Sequence, residues 1–158
     1  MIILGLDPGS AKTGYGVVEK GLRSKLTCIT YGCITTPQSE SNSERLLILE
    51  KELVAVLKRY RPDVAGVERL FFFKNLKTVM PVSEARGVIL LTLARHKIPI
   101  HEFTPLQVKM TIAGYGRAEK KQIQRMVKEI LSLPEIPKPD DAADGLAMAI
   151  ACSLTQRG

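Results

Sequence analysis

Met1-Ile2-Ile3-Leu4-Gly5-Leu6 is an unbroken apolar run that stops at Asp7-Pro8-Gly9. Its β-branched residues and its lack of alternation suit a strand covered on both faces of a sheet. Val64-Ala65-Gly66-Val67 repeats the pattern, entered through Arg61-Pro62-Asp63 and closed by Glu68. Between these runs, Tyr15-Gly16-Val17-Val18-Glu19 and residues 25–35 read as two more strands, joined through Lys20-Gly21 as an antiparallel meander. Ser41-Asn42-Ser43-Glu44 has the pattern of a capping box, and Leu46, Leu49, Leu53, Leu57 and Tyr60 follow it at helical spacing. A helix over 79–96 and a short strand over 98–103 come after the second apolar run. A meander followed by strand, helix and strand predicts an α/β protein with a mixed sheet flanked by helices and right-handed crossovers. In such sheets functional groups collect at the carboxyl ends of parallel strands, where Asp7 and Glu68 stand.

Two further acids open the last helix, Asp141-Ala142-Ala143-Asp144-Gly145-Leu146-Ala147-Met148-Ala149-Ile150, after Pro137-Lys138-Pro139. Their i, i+3 spacing puts Asp141 and Asp144 on one helix face, at the end where the helix dipole favours negative charge. Asp140 is the expected N-cap. Four carboxylates set against apolar segments are costly unless something pairs them. Any two facing each other at about 5 Å repel by roughly 3 kcal/mol at an effective dielectric near 20. A divalent cation relieves both costs.

The 158 residues fit one domain, 1–158, with 45% apolar and 25% charged residues as in ordinary globular proteins. A net charge of +7 points to a polyanionic partner, nucleic acid ahead of a membrane surface, since no basic amphipathic helix rich in aromatics is present. Cys28, Cys33 and Cys152 are odd in number and lack CxxC spacing, which favours neither a zinc site nor a disulfide framework and fits a reducing cytoplasm. The longest apolar stretch, Val88 to Ala94, is too short to span a membrane, and the N-terminus lacks a signal-peptide pattern. The helix from Val79 is apolar almost all round, with Val82, Ile89 and Leu93 on one side, Leu91 and Met80 on another, and Val88 and Ala85 on a third. Such a helix needs cover on more than one side, either within a monomer or, the preferred reading, from its own sheet and from a second copy in an isologous dimer.

Ile3-Leu4-Gly5-Leu6-Asp7-Pro8-Gly9 with Thr13-Gly14-Tyr15-Gly16, then Val67-Glu68 with Phe71, then Asp141-Ala142-Ala143-Asp144 with Leu146-Ala147, resemble in order and spacing the three motifs of the RuvC family of Holliday junction resolvases. The resemblance covers essentially the whole chain. It implies a ribonuclease H-like fold with a mixed five-stranded sheet, a homodimer, and metal-dependent hydrolysis of phosphodiesters at a four-way DNA junction in recombination and repair. It further implies two Mg2+ ions per active site, with Mn2+ as a substitute, and a branch-migration motor of the RuvA and RuvB type as a partner. On this resemblance Asp7 bridges the ions, Glu68 and Asp141 bind one each, and Asp144 completes the set. Magnesium suits such ligands because it takes hard oxygens and retains waters that substrate phosphate replaces.

Residues 105–128 carry Lys109, Arg117, Lys120, Lys121, Arg125 and Lys128 against the single acid Glu119, a local field suited to phosphates. The family match places Lys109 and Lys120 near the active site. Phe71 and Phe72 follow Glu68 closely, with Phe73 beside them, and aromatic faces stack on unpaired bases. By resemblance Phe71 is the ring that inserts near the branch point. Plainer readings stand beside these: strand end, surface pair and helix cap for the acids, core packing for the rings, and a solvated basic helix face for Lys121, Arg125 and Lys128. His96 and His101 are read as structural. Two rival functions share the fold pattern, a nuclease acting on ribosomal RNA precursors and a one-lobed relative of actin-like and Hsp70-like ATPases.

Overall fold

The computed structural model describes residues 1–69 and 76–156, without the Leu76 side chain. Five strands form one sheet: β1 (Ile2–Asp7), β2 (Lys12–Lys20), β3 (Leu26–Thr35), β4 (Val64–Glu68) and β5 (Ile100–Phe103). Their order is β3-β2-β1-β4-β5, with β1, β2 and β3 antiparallel and β1, β4 and β5 parallel, which is the mixed sheet expected. The apolar runs of β1 and β4 are adjacent central strands, and that position explains why neither alternates.

Helices cover both faces. On one side, α1 (Asn42–Tyr60) and α2 (Leu76–Arg95) pack Leu49, Leu53, Leu57, Ala85, Ile89 and Leu93 against Leu4, Leu6, Val17, Ala65 and Val67. On the other side lie α3 (Pro105–Ala113), α4 (Lys120–Ile130) and α5 (Asp140–Thr155), which enclose Ile3, Val18, Val64 and Phe103. Ser41 caps α1 as its pattern predicts, accepting from the Glu44 amide at 3.3 Å. Thr104 and Gln107 form a reciprocal capping box at the start of α3. Helix α2 starts three residues before the expected Val79 and holds Pro81 inside it. Strand β5 is shorter than the expected 98–103. The three cysteines are free.

Helix α5 determines where the site lies. Gly5 pairs with Gly16 on one side and Gly66 on the other, so a row of glycines crosses β2, β1 and β4. A Cβ added at any of the three would strike α5: Ala149 N at 2.2 Å from Gly5, the Leu146 side chain at 2.6 Å from Gly16, and Cys152 Cβ at 2.9 Å from Gly66. The helix answers with small residues, Ala142, Ala143, Gly145, Ala147, Ala149 and Ala151, all buried. Close approach of backbone to backbone excludes water and brings dispersion contacts along the whole seam. Lys20 of β2 fixes the far end, where its ammonium donates to the carbonyls of Ser153 (3.0 Å) and Gln156 (2.6 Å).

Candidate active site

Side chains alternate along a strand, so Asp7 shares a face with Ile3 and Gly5, and Glu68 shares one with Val64 and Gly66. That face is the one α5 covers. Leu6 pairs with Val67, which sets the next residues, Asp7 and Glu68, side by side on parallel strands about 4.8 Å apart. The N-terminal turn of α5 meets them because Gly14 of β2 lets it: a Cβ there would lie 1.7 Å from the Asp141 carbonyl oxygen. Asp7, Glu68 and Asp144 line an open cleft of about 410 Å³ together with Lys109 of α3 and Lys120 of α4. Asp141 stands beside this cleft rather than in its lining, near enough for its charge to act on Asp7.

The electrostatics follow from crowding. Burial, then the hydrogen bond and charge of Glu68, push the Asp7 carboxyl up to about 9. Burial and the neighbouring Asp7 push Asp144 up to about 7, with Lys120 opposing the rise. Asp7 and Asp144 therefore each hold a proton to higher pH than a free carboxyl does. Lys120 lies 3.7 Å from Asp144 and 3.5 Å from Asp140. Burial works against the Lys120 ammonium, and Asp144 leads the acids that outweigh it and raise its pKa. Of the two lysines lining the cleft, only Lys120 pairs with one of its acids, Asp144, and a divalent cation is the natural complement of the set.

Among the described residues no group of three or more Asp, Glu, His or Cys side chains is arranged to hold a metal ion unaided. Open, incomplete oxygen sets suit magnesium, which keeps waters and takes ligands from a bound phosphate.

The other expected residues divide. Lys109 and Lys120 both line the cleft. Arg117, in the turn before α4, and Lys121, on its first turn, are exposed outside the cleft lining. Phe71, Phe72 and Phe73 lie outside the described residues. Asp140 is not the N-cap of α5: Pro139 takes that position in extended backbone, and its carbonyl accepts from the Ala142 amide at 2.9 Å. The Asp140 carboxylate turns instead to Lys120 and to the Gln124 amide at 3.2 Å. The Met80 and Leu91 side of α2 is open, with those residues 66% and 51% exposed.

Sequence reasoning missed a group behind Glu68. Arg86 of α2 donates from Nε to the Glu68 main-chain carbonyl at 3.1 Å and pairs through Nη2 with Glu102 of β5. Arg69 reaches the same Glu102 at 3.4 Å.

Comparison with known proteins identifies a family. The family model described as crossover junction endodeoxyribonuclease RuvC matches residues 3–152. The crossover junction endodeoxyribonuclease RuvC of Caldicellulosiruptor saccharolyticus is 54% identical over 155 residues, covering 98% of this chain and 93% of the relative. That of Ruminiclostridium cellulolyticum is 55% identical over 157 residues, covering 99% and 94%. The solved structure of Thermus thermophilus RuvC in complex with Holliday junction substrate superposes with a TM-score of 0.89 at 33% identity, covering 96% of this chain and 92% of that one.

Proposed function

Because the chain belongs to the RuvC family of crossover junction endodeoxyribonucleases, it is an endonuclease that resolves Holliday junctions by metal-dependent hydrolysis of phosphodiesters, and we propose that Asp7, Glu68, Asp141 and Asp144 are its catalytic and metal-binding residues. The observation that carries this reading is the convergence of Asp7, Glu68 and Asp144 in one cleft, where burial and neighbouring acids raise the pKa of Asp7 and of Asp144. Mg2+ is the ion proposed, two per site, with Mn2+ able to replace it. When bound, such a pair activates the attacking water and stabilises the leaving oxygen.

The chain's own residues do the rest. Asp7, with Glu68 beside it and Asp144 across, supplies oxygens fixed by the sheet and by α5, so no reorganisation is needed at the moment of reaction. Lys109 and Lys120, in the same cleft, draw in the scissile phosphate and oppose the charge that grows on it. In the metal-free protein Lys120 partly neutralises Asp144. Arg117 and Lys121 extend the positive field outward along the DNA, and Phe71 and Phe72 stack on bases near the branch point.

Residues 1–158 work as one ribonuclease H-like nuclease domain. Two copies join through the open face of α2, where Met80, Gly87 and Leu91 fall on one stripe. Two sites related by a two-fold axis match a junction of the same approximate symmetry, and paired nicks then leave ends a ligase can seal. A branch-migration motor of the RuvA and RuvB type would bring the junction. Among the described residues no helix is long and apolar enough to cross a membrane, and a cytoplasmic enzyme fits that.

Purified protein with Mg2+ should cut a synthetic mobile junction and spare linear duplex and structured RNA. Equal cutting of linear duplex would remove the junction selectivity, and cutting of the RNA alone would favour the ribosomal RNA reading. Asp7→Asn should keep junction binding and lose cleavage; retained cleavage would take Asp7 out of the site. Sedimentation at micromolar concentration should give a dimer mass, and a monomer there counts against the α2 interface.

A further inference from the structure

Glu68 is the last residue of β4, so the aim of its carboxylate depends on what holds its main chain. The side chain faces α5, while the next-door positions Val67 and Glu102, paired in register, face α1 and α2. From that opposite face Arg86 reaches through, its Nε donating to the Glu68 carbonyl while Nη2 binds Glu102. The Arg69 amide donates to the Phe103 carbonyl at 2.7 Å, which carries the β4–β5 ladder one residue past Glu68. The Arg86 side chain is only 17% exposed, against 62% for Arg69. A planar guanidinium held by a carboxylate at one edge and a main-chain carbonyl at another is orientationally fixed, which a surface pair of flexible side chains is not.

We infer that Arg86, oriented by Glu102, is a positioning residue that fixes the carboxyl end of β4 and thereby aims Glu68 into the active-site cleft. The inference rests on the proposed role of Glu68 as a metal ligand. Arg86 is outside the cleft lining and is held by the Glu68 carbonyl and by Glu102, so its effect should appear in metal affinity rather than in DNA affinity. Groups that orient ligands from behind typically govern metal affinity or activity by about 10- to 100-fold. It also fastens the site to α2, the helix proposed to meet the second copy.

The test titrates Mn2+ into DNA-free protein, following the free-ion signal by electron paramagnetic resonance, and in parallel the Mg2+ midpoint of junction cleavage and the junction Kd without divalent ion. Arg86→Met should weaken Mn2+ binding by about 10-fold and raise the Mg2+ midpoint by a like factor, with the junction Kd unchanged. Arg86→Lys, which can serve the carbonyl or Glu102 but not both, should fall between. Glu102→Gln should act in the wild-type background and add nothing to Arg86→Met. If Arg86→Met does not fold, Arg86→Lys and Glu102→Gln carry the test. Folded variants whose metal midpoints stay within twofold of wild type overturn the inference, and so does a loss confined to the junction Kd. Wild-type protein that binds no Mn2+, or Asp7→Asn protein that still cleaves, would instead overturn the reading of the acids themselves.

Discussion

Replacing Gly14 by alanine places one methyl group against a helix that has no room for it. The new Cβ would sit 1.7 Å from the Asp141 carbonyl oxygen and 2.3 Å from its carbon, whereas real Cβ atoms keep at least 3.0 Å. Both obstructing atoms are backbone, so no side chain can swing aside, and the first turn of α5 has to withdraw from β2 by more than 1 Å. Overpacking of this kind costs about 3 kcal/mol, which in a chain of this length lowers Tm by roughly 6 to 12 °C. The same displacement carries Asp141 and Asp144 away from Asp7, and a misplacement near 1 Å at a reacting centre costs about 10²-fold in rate. Urea unfolding would read the first effect, and single-turnover cleavage of a synthetic junction at saturating Mg2+, well below both melting temperatures, the second. Junction binding without divalent ion should persist, because the basic residues lie on α3, on α4 and in the turn between them. A Gly14→Ala protein with the wild-type unfolding midpoint and a cleavage rate within threefold of wild type would refute the claim that this glycine sets the position of the acids.

Three other outcomes are expected. Lys20→Met leaves two carbonyls at the end of α5 without their charged donor and should cost about 1–3 kcal/mol by denaturant unfolding. Gly87 lies inside α2 with nothing in its own chain within 4 Å of an added Cβ, so Gly87→Ala should raise the urea-unfolding free energy of the monomer, measured at concentrations too dilute for the dimer, by about 0.5–1 kcal/mol. For pH, the folded pKa of Asp7 is raised above the unfolded value of 3.8, so the native state binds the extra proton between them. Metal-free stability should therefore fall as pH rises from about 4 towards 9, Asp7→Asn should flatten that fall, and Mg2+ at pH 8 should raise Tm in the wild type, by about 2.7 kcal/mol of stability at 100 times its Kd.

Much of the fold was legible because β1 and β4 are central parallel strands, and burial on both faces writes itself as uninterrupted Ile, Leu and Val. The acids were legible for a related reason, since a carboxylate that ends such a run interrupts the pattern. What escaped the sequence depends on distances across the fold. Gly5, Gly14 and Gly16 look like ordinary strand glycines, with φ outside the left-handed region, and only the approach of α5 explains them. Arg86 and Glu102 are sixteen residues apart and read as unrelated surface charges until β5 is laid beside β4. Asp140 misled because an acid before a helix suggests a cap, while Pro139, with φ already fixed, starts the helix one residue earlier and frees that acid for Lys120.

The row Gly16, Gly5, Gly66 has one more consequence, for how this active site can change over time. Because α5 lies in that trough by its small residues, the angular phase of the helix is set by Gly145, Ala149 and Cys152, some distance from the acids. One residue inserted between Asp144 and Gly145 would leave the seam from Gly145 onward in place and rotate the turn before it, Ala142 and Ala143 included, by about 100°. Both aspartates would then point away from β1 in a protein that still folds. Sequence drift in α5 is therefore open to substitution by small residues but closed to any change of length, and an altered count of residues between Asp141 and Ala149 marks a copy that has kept its shape and lost its catalysis.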